Sequence, residues 1–185
     1  MNPLEVRQSR LIAALVAMQV AIGIGLSRSG VRFDGFLDVH RTLYGDSVPL
    51  GIAIVDQVAS LLVAIVVAVI IVRAWKPGVS VGSVARVMGV ARLPLLLFAP
   101  ILLALPVPAA LAAMTMSAST RIVPPATVVL AGVAAVGSFV CAIVLLVRGL
   151  RRITGVLGWP LSGLTVVTVV FVEGAGKLVI AVLAR

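Results

Sequence analysis

Five apolar runs, at about 11–27, 49–72, 93–118, 125–147 and 159–183, leave this chain few ways to fold. An α-helix rises 1.5 Å per residue, so about 20 residues cross roughly 30 Å of hydrocarbon. Four of the runs reach that length, and the first is short but uncharged. Lipid offers no partner for a bare N–H or C=O, so a spanning segment must bond its own backbone. Barrel strands would alternate polar and apolar residues over ten-residue segments, and no such alternation is present. The chain is 62% hydrophobic and 11% charged over 185 residues. A domain of that size cannot bury so much apolar surface within itself. The sequence therefore predicts an all-α polytopic membrane protein. It forms a single domain over 1–185, a bundle of five transmembrane helices.

The charges mark the ends of these runs. Thirteen arginines and two lysines face six carboxylates, for a net charge of +9. In a soluble protein that excess would point to nucleic acid. Here no basic stripe is interleaved with aromatics, and no nucleic-acid partner is expected. Cys141 is the one cysteine, which excludes a disulfide framework and a thiolate metal site. Arg7 and Arg10 precede the first span. Arg73, Lys76, Arg86 and Arg92 are assigned to the second loop, and Arg148, Arg151 and Arg152 to the fourth. The first and third loops hold Arg28, Arg32, Arg41 and Arg121. Counting cations, as orientation requires, predicts a multi-pass protein of the cell membrane with the N-terminus inside and the C-terminus outside. The end of the first run, "GIGLSRSG", has no small-x-small cleavage pattern, so it is read as a span and not a signal peptide.

Two loops and one span have features of their own. "SVGSVARVMGVAR", at 80–92, is either a short amphipathic helix on the inner surface or a solvated connector. Pro94, Pro100, Pro106 and Pro108 predict a bent or interrupted third helix near 100–108. The first loop holds three of the four aspartates and the sole histidine. Phe33, Phe36, Leu37, His40 and Tyr44 recur there at helical spacing, with Asp34, Asp38 and Arg41 on the other side. A short outer interfacial helix over 33–44 is expected, with His40 turned towards the bundle. His40 has no second histidine or thiolate beside it to make a metal site, and no recognisable triad. A haem ligand and a polar anchoring residue both remain open for it.

"GLSRSG" (Gly25–Gly30), followed by His40-Arg41 just before the second span, resembles the first half-repeat of the haem A synthase family. The similarity covers about residues 20–45. It implies haem as a cofactor, with His40 as the ligand and Arg41 as a propionate partner. The chain departs from that pattern in three respects: the fourth run contains no second histidine, Leu37 stands where the family has an acid, and a fifth span is one more than a half-repeat needs.

Inside the runs lie Asp56, Glu173 and Lys177, with Gln19 and Gln57 as polar companions. A charge at the centre of a membrane helix costs about 2.5–3.5 kcal/mol, so each should turn inward and find a partner. Asp56 and Lys177 are each placed about 9–10 Å from the outer boundary, and Glu173 precedes Lys177 by one helical turn. The cluster is either a structural ion network or a proton-coupling site. No catalytic residue and no metal site is expected. The sequence points to an accessory or assembly subunit of a respiratory membrane, haem-handling or oxidase-associated, set among other membrane subunits or copies of itself. A small transporter or channel, built on the polar cluster and the proline-rich span, is the alternative.

Overall fold

The computed structural model describes residues 3–28, 31–32, 37, 40–41, 49–104 and 126–183. Five helices account for almost all of them: α1 (Pro3–Arg28), α2 (Leu50–Trp75), α3 (Val81–Ala104), α4 (Ala126–Thr154) and α5 (Trp159–Leu183). Between α1 and α2, strands β1 (Val31–Arg32) and β2 (His40–Arg41) pair antiparallel, with Arg32 opposite His40. Among the described residues, three helical stretches are long and apolar enough to cross a membrane, Leu50–Trp75, Val129–Thr154 and Trp159–Val182.

The helices associate as two close pairs, α2 with α5 and α3 with α4, joined by contacts of α2 with α3 and by α1. The first pair follows from a four-residue rhythm. On α2, Ala53, Gln57, Leu61, Ala64, Ala68 and Val72 fall on one buried stripe. On α5 the matching stripe is Leu161, Thr165, Thr168, Val172, Gly176 and Ile180. Small residues on both stripes let the backbones approach, the usual basis of helix association in lipid. Thr165 and Thr168 donate their hydroxyls to the Leu161 and Leu164 carbonyls, at 2.8 and 2.7 Å, and so carry no unmet polarity into the seam. The opposite faces are apolar and open. Val129, Val133, Val136, Val140 and Val144 form such a stripe on α4, and Leu62, Val66 and Ile70 continue one on α2. Contiguous apolar surface of this extent is matched by a lipid environment.

One end of the bundle is fastened by its turns. Lys76 Nζ, just after α2, donates to the Thr154 carbonyl at the end of α4, at 2.7 Å. Arg73 Nε donates to the Val79 carbonyl at 3.2 Å, and Ser80 Oγ accepts the Ser83 N–H at 3.2 Å, which caps α3. Gly155 then ends α4 with φ +73°, a left-handed conformation that a side chain disfavours. The α2–α3 and α4–α5 turns therefore lie at the same end.

Several expectations are corrected. The segment 80–92 is neither a connector nor a separate surface helix: α3 starts at Val81 and runs unbroken through Arg86, Arg92, Pro94 and Pro100. Burial explains the difference, because Val84, Met88, Ala91, Leu95 and Leu96 continue one inward stripe across that boundary. Residues 105–125 lie outside the described residues, and with them Pro106 and Pro108. Arg148, Arg151 and Arg152 belong to the last turns of α4, where cations favour the helix dipole, and not to a loop. His40 and Arg41 are in a strand, so the expected helix over 33–44 does not include them. An isolated amphipathic segment of that length is marginal as a helix, and pairing with Val31–Arg32 satisfies backbone groups of both strands. The other residues of 33–44, except Leu37, lie outside the described residues.

The α3–α4 approach depends on Gly149, where an added Cβ would come 2.5 Å from Val87 Cγ1 and 2.9 Å from Cγ2. Alanine gains up to about 1 kcal/mol of helix propensity over glycine, but overpacking a fixed core costs about 1–3 kcal/mol. The clash should win. Gly149→Ala is expected to lower the unfolding temperature in detergent, and Val87→Ala in the same chain to recover part of the loss. An unchanged unfolding temperature in the single variant would show that α3 and α4 are not held at this distance.

Candidate functional site: a buried polar layer

The interior between α1, α2, α3 and α5 is interrupted by polar groups. Gln19 of α1, Asp56, Gln57 and Ser60 of α2, and Arg92 of α3 are all buried, Arg92 to 1% exposure. Ser60 Oγ donates to the Gln57 carbonyl at 3.2 Å. Gln57 reaches α1 so closely that a Cβ added at Gly23 would collide with its side-chain amide. Among the described residues, neither amide atom of Gln19 nor Gln57 Nε2 has a hydrogen-bond partner.

Glu173, half-buried on α5, works in two directions. Its charge attracts the Arg92 guanidinium. Its Oε2 accepts the Leu37 N–H at 2.9 Å, from the segment between β1 and β2. Leu37 itself packs against the apolar core. Since α3 and α5 start at the same end of the bundle, simple rise places Arg92 about 16 Å and Glu173 about 21 Å along their helices, both near mid-depth. The carboxylate thus bonds the first loop to α5 and acts on Arg92 of α3 through its charge. Its neighbour one turn on, Lys177, is exposed. Asp56, six residues into α2 from Leu50, and Lys177, six residues before Leu183, lie at a similar level by simple rise, but Asp56 is buried where Lys177 is exposed.

Arg92 is the member that sequence reasoning missed. Hydropathy put it at the edge of a span, where an arginine looks like an orientation signal. Its helical phase carries the better signal: it falls four residues after Met88 and eight after Val84, both fully buried. Of the residues proposed for haem, His40 and Arg41 form β2. Strand β1 packs against α1, and both strands against α3. No group of three or more metal-ligating side chains occurs among the described residues. No protein-family model, no curated protein and no solved structure matches this chain.

The double role of Glu173 can be separated by substitution. Glu173→Gln keeps an acceptor for Leu37 N–H and loses the charge beside Arg92, while Glu173→Ala loses both. Breaking a buried pair from one side costs about 3–5 kcal/mol when both partners are fully desolvated, and less here because Glu173 is only half-buried. Both variants should be destabilised, and Ala should also speed hydrogen exchange at the Leu37 amide. Equal exchange at Leu37 in wild type and Glu173→Ala would remove the carboxylate from the loop contact.

Proposed function

We propose that this chain is an accessory protein of the cell membrane, five helices crossing the bilayer, whose interior charges hold helices and loop together while the chemistry it serves belongs to partner subunits. The double engagement of Glu173, by Arg92 and by the Leu37 N–H, carries the reading. A carboxylate committed to two structural contacts is poorly placed to load and release a proton.

The orientation proposed is N-terminus inside and C-terminus outside. The two fastened turns and their flanking helix ends gather Arg73, Lys76, Arg86, Arg148, Arg151 and Arg152. Positive charge of that density belongs on the cytoplasmic side. Arg92, buried at mid-depth, drops out of the count, and the inner side still leads.

A transporter is the second reading, favoured by the unmatched amides of Gln19 and Gln57, because buried polar groups without partners often mark a site for water or a polar solute. Proteoliposomes separate the two. The accessory reading expects no proton or cation flux above that of protein-free vesicles. A flux abolished by Glu173→Gln would establish transport instead. Haem handling is a narrower form of the accessory reading and rests on His40 beside Arg41 in β2. It requires a Soret band in protein purified from haem-replete cells, and loss of that band in His40→Ala.

The topology is tested in a Cys141→Ala background. Cysteine at Ser80 should resist a membrane-impermeant thiol reagent added to intact cells, while cysteine at Ser119 should react. Labelling of the Ser80 position from outside would reverse the orientation.

A further inference from the structure

The fastened end of the bundle carries a cleft of about 700 Å³ between the first half of α3 and the second half of α4. Its lining is graded along the helices. At the end of the bundle stand three cations from three elements: Lys76 after α2, Arg86 on α3 and Arg152 on α4. The hydroxyls of Ser80 and Ser83 lie beside them, 2.8 Å apart. Further in, the walls become apolar, with Val87 and Val90 on α3 and Leu145 on α4, while Ile153 adds an apolar side chain at the cationic end. Gly149 lies between the last two and brings α4 against Val87. From Ser80 to Val90 the cleft descends about 15 Å along α3, enough to pass from a headgroup layer into hydrocarbon. No carboxylate lines it among the described residues.

We propose that this cleft binds the phosphate of an anionic phospholipid, with Lys76, Arg86 and Arg152 around the headgroup and an acyl chain along Val87, Val90 and Leu145. Charge alone would suit any phosphate. The apolar walls are what select a lipid, because a free phosphate gains nothing from valine and leucine, whereas an acyl chain buries against them. Basic pockets between membrane helices on the cytoplasmic side are a recurring form of headgroup recognition. Lys76 is held in place by its bond to the Thr154 carbonyl, and that bond uses one of its three donors. Arg86 presents a planar fork suited to two phosphate oxygens. The proposal rests on the chain lying in a membrane. It does not depend on the accessory role, since a transporter could hold the same lipid.

The test uses the full chain, delipidated in neutral detergent, with lipid binding counted by native mass spectrometry. Phosphatidylglycerol and phosphatidylcholine of the same chain length are compared. Wild type should retain one phosphatidylglycerol with at least about tenfold preference over phosphatidylcholine, given the attraction that each cation near a headgroup supplies. Arg86→Gln with Arg152→Gln should lose that preference. Arg148→Gln with Arg151→Gln removes two charges from the same helix end but outside the cleft, and should keep it. Equal loss in both pairs would mean diffuse surface attraction and would overturn the site. Displacement of the lipid by millimolar inorganic phosphate would identify a soluble phosphate as the ligand and overturn the lipid assignment. Should the Arg86/Arg152 pair fail to fold, wild type alone decides, because absence of any preference for phosphatidylglycerol overturns the proposal. Failure of the accessory reading, seen as ion flux, would leave this result unchanged.

Discussion

The burial of Arg92, a guanidinium attracted by the Glu173 charge, is the constraint that the interior must meet. A guanidinium keeps its charge under almost any condition, so burying one obliges the fold to bring it a counter-charge. That obligation is stronger in a membrane protein, where water is not available at mid-depth. Helices α3 and α5 belong to different close pairs, and apolar packing does little to join them directly. The attraction of the Glu173 charge for Arg92 acts across that gap, between the α2–α5 pair and the α3–α4 pair. The same carboxylate then takes a backbone N–H from the first loop, so the loop is placed by the charge that places the helices.

Around Arg92, packing does the ordinary work. Apolar side chains gain little by leaving lipid for one another, so close association needs small residues and matched polar groups. The alanines of α2 and the glycine and threonines of α5 meet that need along one seam, and Gly149 meets it in the other pair. The wide valine stripe left open on α4 is consistent with this division, because one face of that helix is used for α3 and the other is left to solvent hydrocarbon or to a neighbouring subunit.

The long apolar helices α2 and α5 were legible because hydropathy is a local property. Residues 49–72 and 159–183 correspond to α2 and α5 within a few residues. The ends of α3 and α4 were not legible, and for one reason in both cases. A charged residue lowers local hydropathy whether it lies in a loop, caps a helix end or is buried with a partner. Arg92 and the arginines 148, 151 and 152 occupy the last two of these situations, and all read alike in sequence. The strand at His40–Arg41 was hidden differently: a helical spacing of aromatics was present, but the partner that decides the outcome, Val31–Arg32, lies outside that window. Within the polar layer, Asp56, Gln57 and Gln19 were identified from their types and positions. Arg92 needed the phase of α3, and the Leu37–Glu173 bond needed coordinates, since a backbone donor carries no sequence signature.

The two ends of the bundle make different use of charge. Away from the fastened turns, Asp56 and Glu173 lie within the helices, and Glu173 accepts the Leu37 N–H. At the fastened end, cations are carried on turns and helix termini, and among the described residues Lys76 and Arg73 donate to backbone carbonyls there. Groups engaged in holding the fold have little freedom to bind anything else, whereas Arg86 and Arg152 stand at the mouth of a cleft that the packing of α3 on α4 leaves open. Recognition by this chain is therefore better sought at the fastened end of the bundle than along its axis.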